Sequence, residues 1–129
     1  MSRRTKAYEK GACHKMIEVI KSKIEKEAVD QWFANWSDLV PVIHEAHDLR
    51  DKTAGAHMEA GIQLYEQFIC DVSGVAEIDV KEEYEVLPIN ALERLAFIKR
   101  RPGQYACYRQ LDELFIETKK RCARLRLKK

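Results

Sequence analysis

His44, His47, Asp48 and Asp51 form the one group in this chain whose residue types and spacing suggest a metal site. Placed at i, i+3, i+4 and i+7, they share one face of a helix, and imidazole and carboxylate are ligands that zinc, iron or manganese would take. A metal held there would make the protein a metal-dependent hydrolase, with His44, His47 and Asp48 as its working residues. The opposite side of the same segment argues against this. Leu39, Val42, Ile43, Ala46 and Leu49 point about 150° away on a helical wheel, so the His/Asp face is predicted to meet water. His44-Glu45-Ala46-His47 is also one residue short of the H-E-x-x-H spacing of zinc proteases. His57 would join the group only if the turn near Gly55 folds it back, and His14 reads as a surface residue.

Other chemistry is sparse. Cys13, Cys70, Cys107 and Cys122 have no two-residue spacing, so four reduced thiols are expected rather than a zinc knuckle or a disulfide framework. Neither Cys13 nor Cys107 has a partner base nearby, which makes them structural rather than nucleophilic. The five glycines are scattered and build no phosphate-cradling loop. No cofactor is expected.

Charge offers a stronger lead. Residues 1–27 carry eight basic and four acidic side chains, residues 28–90 three and thirteen, and residues 91–129 twelve and four, beneath a total of only +2. An acidic middle thus lies between two basic ends. Lys99, Arg100 and Arg101, with Lys119, Lys120, Arg121 and Arg124, are candidate contacts to a polyanion such as a nucleic-acid backbone. The helix dipole also favours cations in a final turn, and Glu117 stands i,i+4 from Arg121, so a solvated or partner-facing basic end is the competing reading.

The elements that must position these groups are helical almost throughout. A first helix is predicted over about residues 4–28, facing inward through Ala12, Met16, Val19, Ile20 and Ile24. A second begins near Asp30 with Trp32 and Trp36, breaks near Ser37 to accommodate Pro41, and resumes to about Asp51. A third, over Lys52–Val72, turns Ala54, Met58, Gly61, Ile62, Tyr65, Phe68, Ile69 and Val72 to one side; Gly61 on that side implies a helix passing close. Residues 75–87 read as an acidic loop, with a short strand or a helical turn left open within 78–86 by its partial alternation. Asn90 is predicted to cap a fourth helix with Glu93 as its reciprocal partner, and Leu92, Leu95 and Ile98 face inward while Phe97 projects elsewhere, as in a middle layer. After Pro102-Gly103, a last helix over Gln104–Leu125 buries Cys107, Tyr108, Leu111, Leu114, Phe115, Cys122 and Leu125. The prediction is an all-α, mostly antiparallel bundle of four or five helices in one domain over 1–129.

The run Leu87-Pro88-Ile89-Asn90-Ala91-Leu92-Glu93-Arg94-Leu95-Ala96-Phe97-Ile98, then Arg101-Pro102-Gly103-Gln104-Tyr105 and Gln110-Leu111-Asp112-Glu113-Leu114-Phe115, resembles the C-terminal half of the YpoC-like family, small uncharacterised proteins of Gram-positive bacteria. Trp32/Trp36 and Gly61-Ile62-Gln63-Leu64-Tyr65 fit its central part, extending the resemblance over residues 30–121. It implies a helical, cytoplasmic bacterial protein and brings no activity. Its polar members Asn90, Glu93, Arg94, Arg101 and Gln110 are the motif residues to place, with Arg94 expected to pair with an acid of the middle segment.

No apolar run reaches the roughly 18–20 residues of a membrane span, and Met1–Lys6 leads into no signal stretch, so a cytoplasmic protein with no membrane partner is expected. The resulting expectation is a non-enzymatic bundle that binds a protein partner or itself, its acidic middle folded partly against the basic C-terminal helices. Nucleic-acid contact and the metal-dependent hydrolase are the alternatives.

Overall fold

A computed structural model describes residues 16–128, which build four α-helices: α1 (Lys26–Asp48), α2 (Ala54–Ser73), α3 (Ala91–Arg100) and α4 (Tyr105–Leu127). Among the described residues the one β-contact is an isolated parallel bridge between Ile17 and Tyr84. The all-α bundle expected from the periodicity is therefore the observed architecture. α1 packs on α2 and α4, and α3 packs on α4. The helix that touches all the others is α4, not α3. Phe97 is accordingly 46% exposed, and the middle layer predicted for its helix does not exist.

The centre is aromatic. Trp32 stacks on Phe68 with ring centroids 4.0 Å apart, and Trp36 lies on Phe115 at 4.4 Å and 3°. Tyr65 meets Phe115 edge-on at 5.2 Å. Each polar tip in this cluster is satisfied, as burial requires. Trp36 Nε1 donates to Asp112 Oδ1 at 2.8 Å, Trp32 Nε1 to the Leu64 carbonyl at 3.2 Å, and the Tyr65 hydroxyl pairs with Thr118 Oγ1 at 2.8 Å.

The predicted break at Ser37 is absent, because α1 runs without interruption through Pro41. An interior proline costs about 3 kcal/mol in helix terms. Trp36 and Ile43, each fully buried on either side of it, stabilise by about 1.5–3 kcal/mol apiece, and only a continuous helix keeps both on one face. α1 ends where Arg50 takes a left-handed φ of 53°.

The predicted N-terminal helix fails over residues 16–25; its portion before Met16 lies outside the described residues. The chain there is extended, with a 3-10 turn at Lys21–Lys23. Its backbone is satisfied from outside: Ile17 N–H donates to the Glu83 carbonyl at 2.8 Å, Ile20 N–H to the Val72 carbonyl at 2.7 Å, and the Ile17 carbonyl accepts from Glu85 N–H at 2.8 Å. Val19 and Ile24 are buried, whereas Met16 and Ile20 are exposed, so the helical stripe is not used. β-branched Ile17, Val19 and Ile20 suit that extended path.

α2 and α4 match their predicted spans and inward faces closely. A Cβ on Gly61 would lie 2.5 Å from Cζ3 of Trp36, which identifies α1 as the close neighbour that this glycine implied. Gly74, at φ 70°, closes α2 with its N–H on the Cys70 carbonyl. The acidic stretch after it is irregular, but Tyr84, Glu85 and Val86 within it are buried.

Candidate functional site

The unbroken α1 changes the histidine face. Its buried line runs through Val29, Trp32, Trp36 and Ile43, and at 100° per residue His47 falls within about 20° of Trp36 on that line. His47 is half-buried beneath the N-terminal turn of α4, its ring 5.4 Å from Tyr105 and 5.9 Å from Tyr108. Its Nε2 is shielded and has no hydrogen-bond partner among the described residues. The expected outward orientation thus fails for His47 and holds for His44, an exposed side chain whose Nε2 is 3.8 Å from Asp48 Oδ2. Of the predicted inward set, Ile43 and Ala46 are buried, while Val42 and Leu49 are 44% and 69% exposed. Asp51 turns to its own loop and accepts Thr53 N–H at 2.9 Å, which holds its carboxyl below the usual range. Among the described residues no three His, Cys, Asp or Glu side chains are grouped to hold a metal ion. His14 lies outside the described residues.

The thiols are unsuited to nucleophilic work. Cys70, Cys107 and Cys122 are buried and free, and burial raises the pKa of each, that of Cys122 to about 11. Cys13 lies outside the described residues.

The motif residues brace the α3/α4 hairpin. Arg94, 21% exposed, makes a two-pronged pair with Glu117 at 2.8 and 3.0 Å and comes within 3.9 Å of Glu113 and 3.5 Å of Gln110 Oε1. The partner expected from the middle segment is therefore replaced by two carboxylates of α4. The Arg94 guanidinium holds Glu117 below the usual carboxylate range. Asn90 precedes α3 in a left-handed conformation, φ 57°, and its side chain makes no capping bond. The predicted reciprocal cap with Glu93 is absent for that reason, since a side-chain cap is made from extended backbone. Arg101 is exposed at the end of α3, where its carbonyl accepts Gln104 N–H at 3.0 Å.

The cations divide into two groups. Lys99, Arg100 and Arg101 lie at the turn joining α3 to α4, and Arg121 follows Tyr105 by sixteen residues, roughly 24 Å along α4. The two groups do not converge. Lys99 is paired with Glu66 at 2.8 Å. In the second group, Lys119 sits 4.4 Å above the Phe33 ring and 3.9 Å from Asp30; Arg121 donates through Nε to the Glu85 carbonyl. Lys120 and Arg124 are exposed and pair with no carboxylate among the described residues. They line a recess of about 280 Å³ with Pro88 and Ile89, the latter 80% exposed. Glu117, which Arg94 already holds, and Arg121 complete its lining. Sequence reasoning missed Ile89, although its position between proline and asparagine, off the inward stripe of α3, carried the signal.

Comparison with known proteins gives the same family from another direction. The family described as YpoC-like protein matches residues 26–129. One relative, the uncharacterized protein YpoC of Bacillus subtilis (strain 168), is 50% identical over 40 residues, which are 31% of this chain and 24% of that protein. The match therefore spans about a quarter of the relative's length. No solved structure matches the chain.

Proposed function

The chain belongs to the YpoC-like family, and from that footing we propose that it is a non-enzymatic helical bundle that binds a protein partner through the C-terminal half of α4. The observation that carries this reading is the pair Lys120 and Arg124, cations without a carboxylate partner among the described residues, beside the exposed apolar side chains of Ile89 and Leu127. Elsewhere the acidic middle and the basic ends match each other: Glu66 takes Lys99, Glu85 takes Lys128, and Asp30 faces Lys119. Cationic charge in excess of the one nearby carboxylate, Glu117, which Arg94 already holds, set next to apolar surface is the composition of a protein interface rim, where it steers encounter with an acidic partner. A nucleic-acid backbone would use the charge and leave the aliphatic surface without a role.

The test is recovery of a protein partner from cells by the full chain, compared with the Lys120→Glu/Arg124→Glu double variant. A partner held by the wild type, lost from the double variant and indifferent to nuclease supports the reading. Recovery abolished by nuclease would replace it with nucleic-acid contact.

A further inference from the structure

Beside the Lys120/Arg124 surface, a second and larger groove of about 570 Å³ opens between α1 and α4. Phe33, Ile116 and Ala123 form its apolar floor, and Lys26, Lys119, Lys120 and Arg126 stand on its rims. Ile116, Ala123 and Leu127 lie within about 40° of one another on the α4 wheel and face away from the buried Cys122 and Leu125. α4 thus has a second apolar stripe that no element of the described chain covers. Leu127, at its end, is 83% exposed.

Resting on the reading above, we infer that this groove is the seat of one amphipathic helix from a partner protein, apolar toward Phe33, Ile116 and Ala123 and acidic along both flanks. The charge decides the occupant. Among the described residues four cations surround the groove against a single carboxylate, Asp30, which is already 2.7 Å from Lys26 and 3.9 Å from Lys119. Arg126 spends its hydrogen bond on a neutral group, the Ile24 carbonyl at 2.9 Å, and shares that same Asp30, so the groove keeps an excess of positive charge. A second copy of the chain pairing through this face would set these cations against their own duplicates. A nucleic-acid backbone would use the cations and leave the aliphatic floor of Ile116 and Ala123 without a role. A helix with leucine-like anchors at i, i+4 and i+7 fits the floor, and glutamates beside them reach the rims. From Ile116 to Arg126 the groove runs along α4 for ten residues, roughly 15 Å, the length of about three helical turns.

The experiment titrates the full chain into a fluorescent synthetic peptide of about 14 residues with leucines at that spacing and glutamates on both flanks, with a lysine-flanked peptide as the control. The glutamate peptide binds and becomes more helical; the lysine peptide does not bind. Salt raised from about 50 to about 300 mM weakens the complex several-fold. Ala123 is exposed, so Ala123→Trp fills the groove without touching the core and lowers affinity about tenfold or more. Ala123→Glu, which adds repulsion instead of bulk, does the same. Lys52→Glu, an equal charge change at the exposed turn between α1 and α2 and away from both surfaces, changes affinity about twofold or less. Failure of the glutamate peptide to bind at low salt overturns the groove assignment, as does binding that survives both Ala123 variants. If Arg124→Glu abolishes binding while the Ala123 variants do not, the α4 reading stands and only the groove falls.

Discussion

Gly61 has no side chain because Trp36 occupies the space one would fill. Gly61→Ala places a Cβ 2.5 Å from Cζ3 of the indole and 3.2 Å from Cδ2 of Leu111, and neither can retreat within a stacked core. Its thermal midpoint falls by the equivalent of about 1–3 kcal/mol. Gly55 is the internal control: its nearest new contact would be Gly103 Cα at 3.8 Å, so Gly55→Ala keeps the packing and gains up to about 1 kcal/mol of helix preference. Equal effects at the two sites would remove close packing as the reason for Gly61. This close approach was legible from one glycine on an otherwise apolar face. The position of His47 was not, because its orientation depends on residues eleven and fifteen positions upstream, Trp36 and Trp32, being on the same unbroken helix. Read from residues 39–49 alone, the wheel centres on the wrong side.

At the scale of the helix, local and tertiary preferences oppose each other at Pro41. The ring removes an N–H that the Ser37 carbonyl would accept and crowds that turn, and the helix persists because breaking it would turn Trp36 or Ile43 out of the core. Pro41 itself is exposed, so Pro41→Ala restores the donor without disturbing packing. Calorimetry of that variant shows a raised midpoint, with a gain of up to about 3 kcal/mol. An unchanged midpoint would mean that the missing bond costs nothing here. α2 and α4 were readable because their apolar spacing, their ends and their packing all agree. The segment before Lys26 was misread because Val19, Ile20 and Ile24 fit a helical spacing, whereas the extended chain is selected by acceptors on Val72, Glu83 and Glu85, far away in sequence.

Across the whole molecule, the sorting of charge along the chain becomes the pairing of its ends, and Glu85 is where they join. This carboxylate, 7% exposed, accepts Val19 N–H at 3.0 Å from the N-terminal segment and Lys128 Nζ at 3.1 Å from beyond α4, while its own carbonyl receives Arg121. That acids of the middle would meet cations of the C-terminus could be read from composition; which ones meet could not, as Arg94 choosing Glu117 of α4 demonstrates. The Val19 amide, followed by Lys128, holds the Glu85 carboxyl below the ordinary 4.5 of a free glutamate. A carboxyl whose pKa is lowered by folding adds stability above the unfolded value and loses it as pH falls through the folded one. Glu117, lowered by Arg94, acts in the same direction. Urea unfolding at about pH 7, 5 and 3.5 therefore shows stability that holds down to about pH 5 and then declines. Glu85→Gln keeps the shape and loses the charge, so it lowers stability at pH 7 by about 1–3 kcal/mol and flattens the acid decline. A decline equally steep in the variant would assign the acid sensitivity to other carboxylates and reduce Glu85 to a packing residue.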